Sequence, residues 1–241
     1  VTALDVGQGE SILIRSGGFL TLVDCGGSGY ENAGDTVAGY LGDFGVRRLD
    51  LLVVTHFHND HANGAARLLE RMEVGLLALP DVDRESPIRQ ELLSAAECAG
   101  TEVRFIRSDT ALELDGERTV RLFAPLGAGE TNEEGLSVLV SQGEFDTLIT
   151  GDMGMDVERA LLARMDLPRV EVLAVGHHGS RYSTGRELLE QIRPEIALIS
   201  VGRHNGYGHP DPGTVERLLA AGAEVYRTDL HGTVTVRRSK A

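Results

Sequence analysis

The chain has no tryptophan, two cysteines, seven prolines and a single lysine, Lys240, among its 23 basic residues. Each scarcity excludes something. Two cysteines without metal-type spacing, Cys25 and Cys98, build neither a disulfide framework nor a thiolate metal site, and both read as ordinary buried thiols. Aromatics make up 5% of the residues, too few for an extensive base-stacking platform. No run approaches the roughly 18 unbroken apolar residues of a membrane span, and no basic-then-apolar segment opens the chain. The sequence therefore reads as a soluble domain. It starts on Val1, directly in the strand-like VTALDV, which leaves open that it is cut from a longer protein and leaves its location undetermined.

Positive charge is scarce as well. The net charge is −14, with 13 basic and 29 acidic side chains in residues 1–168 against 10 and 8 in residues 169–241. An acidic body repels a polyanion at long range, so tight, salt-resistant binding to long duplex DNA is not expected unless metals and local arginines offset it. Apolar residues, by contrast, make up 41% of the 241 positions, enough to bury a real core. With no linker, low-complexity tract or repeat in view, we expect one domain over residues 1–241.

The pattern along the chain is that of an α/β protein. TALDV, SILIRS and FLTLVDC alternate with period two between glycine-rich turns, and LDLLVVT reads as a strand buried on both faces. Helices are expected at 35–44, over NGAARLLERME, and over SPIRQELLSAAECAG with Ser86 as N-cap, Pro87 at the first position and Gly100 at the end. Strands follow at EVRFIR, TVRLFAP, LSVLVSQG and DTLITGD. MDVERALLARM is helical, VEVLAVGHHGS is a strand ending on two histidines, and TGRELLEQI is helical. Strand EIALISVG, helix DPGTVERLLAAG and strands EVYRTD and GTVTVRR close the chain. Three buried strands thus stop at metal-type side chains, and ligands of α/β folds gather at carboxyl ends of strands.

The densest of these groups is THFHNDH at 55–61, three of the chain's eight histidines with an aspartate in six positions. Neutral imidazole is a common ligand for zinc and related ions, and carboxylate adds a harder oxygen. In an extended loop His56 and His58 point the same way, while a helix starting there turns Asp60 and His61 to a neighbouring point, so one segment can serve two ions. Asp24, closing the VDC strand, is the candidate to fix an imidazole tautomer from behind.

THFHNDH resembles the HxHxDH signature of the metallo-β-lactamase superfamily, which implies a four-layer αββα sandwich with a dinuclear metal site at one edge. LDVGQGES, TGD at 150–152, VGHHGS at 175–180 and NGYGHP at 205–210 resemble more narrowly the metallo-β-lactamase-like domain of ComEC competence proteins and its stand-alone relatives. The resemblance implies His56 and His58 on one metal, Asp60 and His61 on the other, Asp152 bridging them, and one more ligand from the histidine doublet, placed on His178 with His177 left to contact substrate. Asp60, Asp152 and His177 are the expected catalytic residues.

The chain departs from the broad superfamily in having no histidine between residues 62 and 151, which leaves the first metal site short of a ligand. Water, substrate phosphate or another residue such as His209 completes it, or the site is weak. Glu10 stands where relatives commonly carry Asp. Asp5 and Gln8 are candidates to line the site or to cap a turn, and His204 and His231 read as surface or packing residues.

Two divalent ions, zinc or manganese, suit hydrolysis of phosphodiesters as well as of lactams, thioesters and lactones. The resemblance favours DNA phosphodiesters, within a larger membrane DNA-uptake protein. Asp152 would orient the attacking water, and Ser180, Arg181, Ser183 and Thr184, with Arg203, Asn205 and His209, would hold phosphate oxygens, although GSRYSTGREL also reads as an ordinary helix entry with Ser183 or Thr184 as N-cap. Two alternatives stand beside this: a hydrolase of a small phosphodiester or lactone, and a metal-binding interaction module with little activity.

Overall fold

The run Arg48–Val53 shows in one strand why the chain folds into layers. Leu49 and Leu52 join a core packed under helices, whereas Leu51 and Val53 join a second core between two sheets. A strand buried on both faces needs a partner layer on each side. The computed structural model describes residues 1–115, 117–126 and 134–238.

The first sheet contains β1 (Thr2–Ala3), β2 (Ile12–Ser16), β3 (Phe19–Val23), β4 (Arg48–Val53), β5 (Glu73–Pro80) and β6 (Glu102–Ile106). The second contains β7 (Thr110–Asp115), β8 (Arg118–Phe123), β9 (Ser137–Gln142), β10 (Phe145–Ile149), β11 (Val172–Ala174), β12 (Ile196–Ile199) and β13 (Glu224–Arg227). The last strand, β14 (Val234–Thr235), returns to the first sheet beside β1. The orders are β14-β1-β2-β3-β4-β5-β6 and β13-β12-β11-β10-β9-β8-β7.

Hairpins make the early strands antiparallel. Pairs β3 to β6 and β10 to β13 run parallel, because helices cross between most of them. Helices α1 (Ala33–Asp43), α2 (Asn59–Ala62), α3 (Ala65–Arg71) and α4 (Pro87–Ala99) belong to the first half. α5 (Met155–Arg164), α6 (Arg186–Ile192), α7 (Pro212–Ala220) and α8 (Thr228–His231) belong to the second.

Three apolar cores match these layers. One lies between α1, α3, α4 and the first sheet, one between the sheets, and one between the second sheet and α5, α6 and α7. The architecture is the expected αββα sandwich. Its chemistry concentrates at one edge, where the carboxyl ends of β3 and β4 face those of β10, β11 and β12.

Several local expectations hold in detail. Ser86 caps α4, Pro87 opens it, and Gly100 ends it in the left-handed region at φ 67°. Others are corrected. TALELD forms β7, whose polar alternation hides a strand that pairs along only one side. The helix expected over NGAARLLERME is shorter, α3 from Ala65 to Arg71, and a separate turn of helix, α2, precedes it at Asn59–Ala62. β11 stops at Ala174, before its histidines, and TDLH forms α8 rather than continuing β13. Cys25 is buried as expected, but Cys98 is exposed on α4. Leu92 and Ala96 carry that helix's buried stripe, and position 98 falls off it.

Gly34 in α1 and Gly64 before α3 mark a close approach of backbones: a Cβ on Gly64 would sit 2.5 Å from Gly34 N. Gly64→Ala should therefore destabilise the protein by about 1–3 kcal/mol through overpacking. Gly39, exposed in mid-helix with nothing within 4 Å of a Cβ, should respond oppositely, Gly39→Ala stabilising by about 0.5–1 kcal/mol. Urea unfolding midpoints of the two variants should move in opposite directions from the wild type.

Candidate metal centre

After β4 the chain stays extended to His58, which takes the N-cap of α2 with φ −74° and ψ 156°. His56 and His58 thereby face the same side, with ring centroids 4.7 Å apart, and the first turn of α2 swings Asp60 and His61 toward them. Across the edge, Asp152 stands three residues beyond β10. The parallel neighbour β11 leads into a tight turn at Gly176–Gly179 that carries His177 and His178. The two strand ends are tied by His177 N donating to Gly151 O at 3.0 Å.

The backbone here is strained. Asp24, His177 and His178 have φ of 60°, 50° and 54°, each a left-handed conformation that costs a residue with a Cβ roughly 1–3 kcal/mol. The surrounding hydrogen bonds hold them there.

Asp24 is fully buried and accepts three hydrogen bonds. Oδ1 takes Thr55 N at 2.7 Å, and Oδ2 takes Thr55 Oγ1 and His61 Nδ1, both at 2.7 Å. Because the Thr55 hydroxyl donates to Asp24, its lone pair receives His56 Nδ1–H at 3.1 Å. One carboxylate thus sets two tautomers, and both Nε2 atoms point forward. His178 is set separately, Nδ1 donating to Ser200 O at 2.9 Å.

These Nε2 atoms converge on two carboxylates. Asp152 Oδ1 lies 3.0 Å from His61 Nε2, and its Oδ2 lies 3.8 Å from His56 Nε2 and 3.5 Å from His177 Nε2. Asp60 Oδ2 is 3.2 Å from His178 Nε2. Ligand atoms of Asp60, His61, Asp152 and His178 all fall within 4.8 Å of one another, as do those of His56, His58 and Asp152. Asp152 belongs to both groups.

The donor set fits divalent ions on a physical test. His56 Nε2 is buried with no hydrogen-bond partner, and His61 Nε2 and Asp152 Oδ1, 3.0 Å apart, are buried with no partner outside the cluster. Buried polar atoms left so are costly, and a cation satisfies all three.

Charge in the cluster is tightly coupled. Burial holds the His56 imidazole well below its ordinary pKa, with His61 reinforcing it. Burial also opposes charge on His61, but the Asp152 and Asp24 carboxylates overcome it and raise that imidazole well above the usual range. Burial likewise opposes charge on Asp152, yet His61, His178 and His56 hold its carboxyl well below normal. Beneath the cluster, burial pushes Glu10 up to about 7.

A cavity of about 790 Å³ opens onto the cluster. It is lined by His58, Asp60, Asp152, His177 and His178 on the metal side, and by Arg203, His204, Asn205, Tyr207 and His209 on a loop after β12. Of the substrate-binding candidates, Arg203, Asn205 and His209 line this cavity. His204, expected at the surface or in packing, also lines it. Gln8 lines it too, its Oε1 accepting Gly202 N at 3.1 Å.

Ser180 and Arg181 stand apart from the cavity. Ser180 is buried, with its Oγ accepting Tyr182 N, and Arg181 pairs with Asp211 at 3.4 Å. Ser183 and Thr184 are buried at the entry to α6, where Glu158 accepts Thr184 N and Gly185 N. Asp5 is exposed and caps its own turn through Gly7 N. His231 lies on the surface against Arg227. Thr55, Ser200 and Tyr207 were not singled out from sequence. Only Thr55, next to the histidine motif, carried a local signal.

Comparison with known proteins agrees with this fold. Residues 4–203 match the family model of the metallo-β-lactamase superfamily. ComE operon protein 3 of Bacillus subtilis is 30% identical over 98% of the chain, Recombination protein 2 of Haemophilus influenzae 34% over 98%, and Competence protein ComA of Neisseria gonorrhoeae 30% over 97%. The chain spans about a third of the length of these curated relatives, 33%, 28% and 31%. Among solved structures, the metallo hydrolase Igni18 of Ignicoccus hospitalis shares the fold with a TM-score of 0.62 at 18% identity, 99% of each chain being covered. A paired His/Asp cluster at the edge of an αββα sandwich, matched over most of its length by the family model, places this chain in the metallo-β-lactamase superfamily.

Proposed function

We propose that this metal-dependent hydrolase of metallo-β-lactamase fold cleaves phosphodiester bonds of DNA, as one part of a longer DNA-uptake protein. The observation that carries the reading is Asp152, whose two oxygens face two separate His/Asp groups. Relatives named for competence and recombination support DNA as the substrate.

His56, His58 and Asp152 would hold one ion, and Asp60, His61, His178 and Asp152 the other. Divalent ions, zinc or manganese, lower the pKa of water and neutralise charge building on a phosphoryl group. The chain's own part is positional. Asp24 and Ser200 fix the imidazole tautomers, and Asp152 orients the water. His177, half-buried at the cavity wall and held below its ordinary pKa by burial, is neutral near pH 7 and serves as a hydrogen-bond partner to substrate. Arg203 contributes positive charge at the mouth against an otherwise acidic surface.

Asp152→Ala should reduce metal-restored cleavage of end-labelled DNA by about 10³-fold or more, several kcal/mol of lost transition-state stabilisation. The assay uses chelator-stripped protein titrated separately with Mn²⁺ and Zn²⁺; cleavage retained in the variant would overturn the assigned centre. Cleavage of small phosphodiesters or lactones, but of no DNA, would instead establish the small-molecule reading. Asp24→Asn should weaken metal binding by about 10–100-fold, because an amide cannot accept all three hydrogen bonds made by the carboxylate. Competition against a chromophoric chelator, with circular dichroism as the control for folding, measures that loss directly.

A further inference from the structure

Tyrosine is rare in this chain, with five residues, yet Tyr207 is 72% exposed and stands in the wall of the cavity. An aromatic ring held in water beside a reactive centre calls for a reason that packing does not supply. Its loop is not loose. Asn205 Nδ2 donates to Gly202 O at 2.9 Å and to His209 O at 2.8 Å, while its Oδ1 accepts His209 N at 2.9 Å. One side chain therefore closes residues 202–209 into a fixed turn, in spite of glycines on both sides of Tyr207.

The ring itself lies nearly parallel to His209, with centroids 5.8 Å apart and 14° between planes. His209 packs edge-on to His177 at 5.6 Å, and His177 Nε2 is 3.5 Å from Asp152. A ladder of three rings thus runs from the metal cluster outward and ends on an exposed π-face.

Resting on the phosphodiesterase reading, we infer that the Tyr207 face, backed by His209, is a stacking subsite for an unpaired nucleobase next to the scissile phosphate. Two ring-to-ring steps separate Tyr207 from His177, which is the reach of a neighbouring nucleotide. Paired bases inside a duplex have both faces covered by their neighbours, so only a single strand or a frayed end presents one to Tyr207. The net charge of −14 acts in the same direction, because it disfavours long duplex more than a short strand held by few contacts. Stacking also tolerates any base sequence. The scarcity of aromatics rules out a long platform, not one placed ring.

The test compares kcat/KM of the metal-loaded protein on a short single-stranded oligonucleotide and on the same strand with abasic positions around the cleavage site. Wild type should prefer the base-bearing strand by about 5- to 150-fold, the range for one stacked base. Tyr207→Ala should collapse that preference toward unity, mainly through KM, and Tyr207→Phe should restore it. Because the chain has no tryptophan, Tyr207→Trp adds a single fluorescent reporter, which should be quenched by the base-bearing strand and not by the abasic one. An undiminished preference in Tyr207→Ala, or failure of Tyr207→Phe to restore it, would overturn the stacking subsite while leaving the phosphodiesterase reading intact. Failure of the wild type to cleave any oligonucleotide with either metal would overturn both.

Discussion

The site depends on one buried anion. Asp24, at the end of β3, satisfies its carboxylate entirely with Thr55 N, Thr55 Oγ1 and His61 Nδ1. A carboxylate with no exposure is tolerated only when its lone pairs are filled, so the segment that fills them is held in place. That segment is the start of the histidine motif. By binding Thr55 and His61 together, Asp24 fixes both ends of the loop that carries His56 and His58. It also turns the Nε2 lone pairs of His56 and His61 toward the same cavity.

The opposite wall is built on a different principle. Asp152, His177 and His178 hang from two parallel neighbours, β10 and β11, and their placement is bound to sheet register. The turn that follows β11 forces two histidines with a Cβ into left-handed backbone. This keeps His178 buried against Asp60 and leaves His177 at the cavity wall. The doublet is thus divided by backbone geometry into one inward and one outward imidazole. The two walls are locked together by a backbone bond from Leu136 N to Thr55 O and by Ser200 Oγ to Gly9 O.

These groups are mutually dependent electrostatically. His61 and His178 are raised by carboxylates that the same histidines depress. A divalent ion held by these residues would compete with protons for the imidazoles, which would link its affinity to pH. At the mouth of the cavity Arg203 sets a positive charge against a chain whose net charge is −14.

Much of this was legible in the linear chain. HxHxDH after a doubly buried strand, the aspartate of TGD, and the histidine doublet each mark a strand end by local pattern. Alternating runs marked β1 to β3 and a doubly buried apolar run marked β4, because both patterns leave a direct trace in residue type, whereas the polar β7 left none. Ser180 and Arg181 read equally well as phosphate binders or as a helix entry, and only packing shows them turned from the cavity. The same is true of Cys98, whose exposure depends on which helical stripe meets the sheet. Sequence by itself determined the candidate ligand types, their strand-end positions and the layered class, since these follow from side-chain chemistry and periodicity. Tertiary structure alone decided which oxygen of Asp152 faces which histidines, how the doublet divides, and that Tyr207 looks into the cavity. Those relations join residues far apart in the chain, through the parallel register of β10 and β11, the strained backbone of the Gly176–Gly179 turn and the Asn205 closure, none of which leaves a periodic mark.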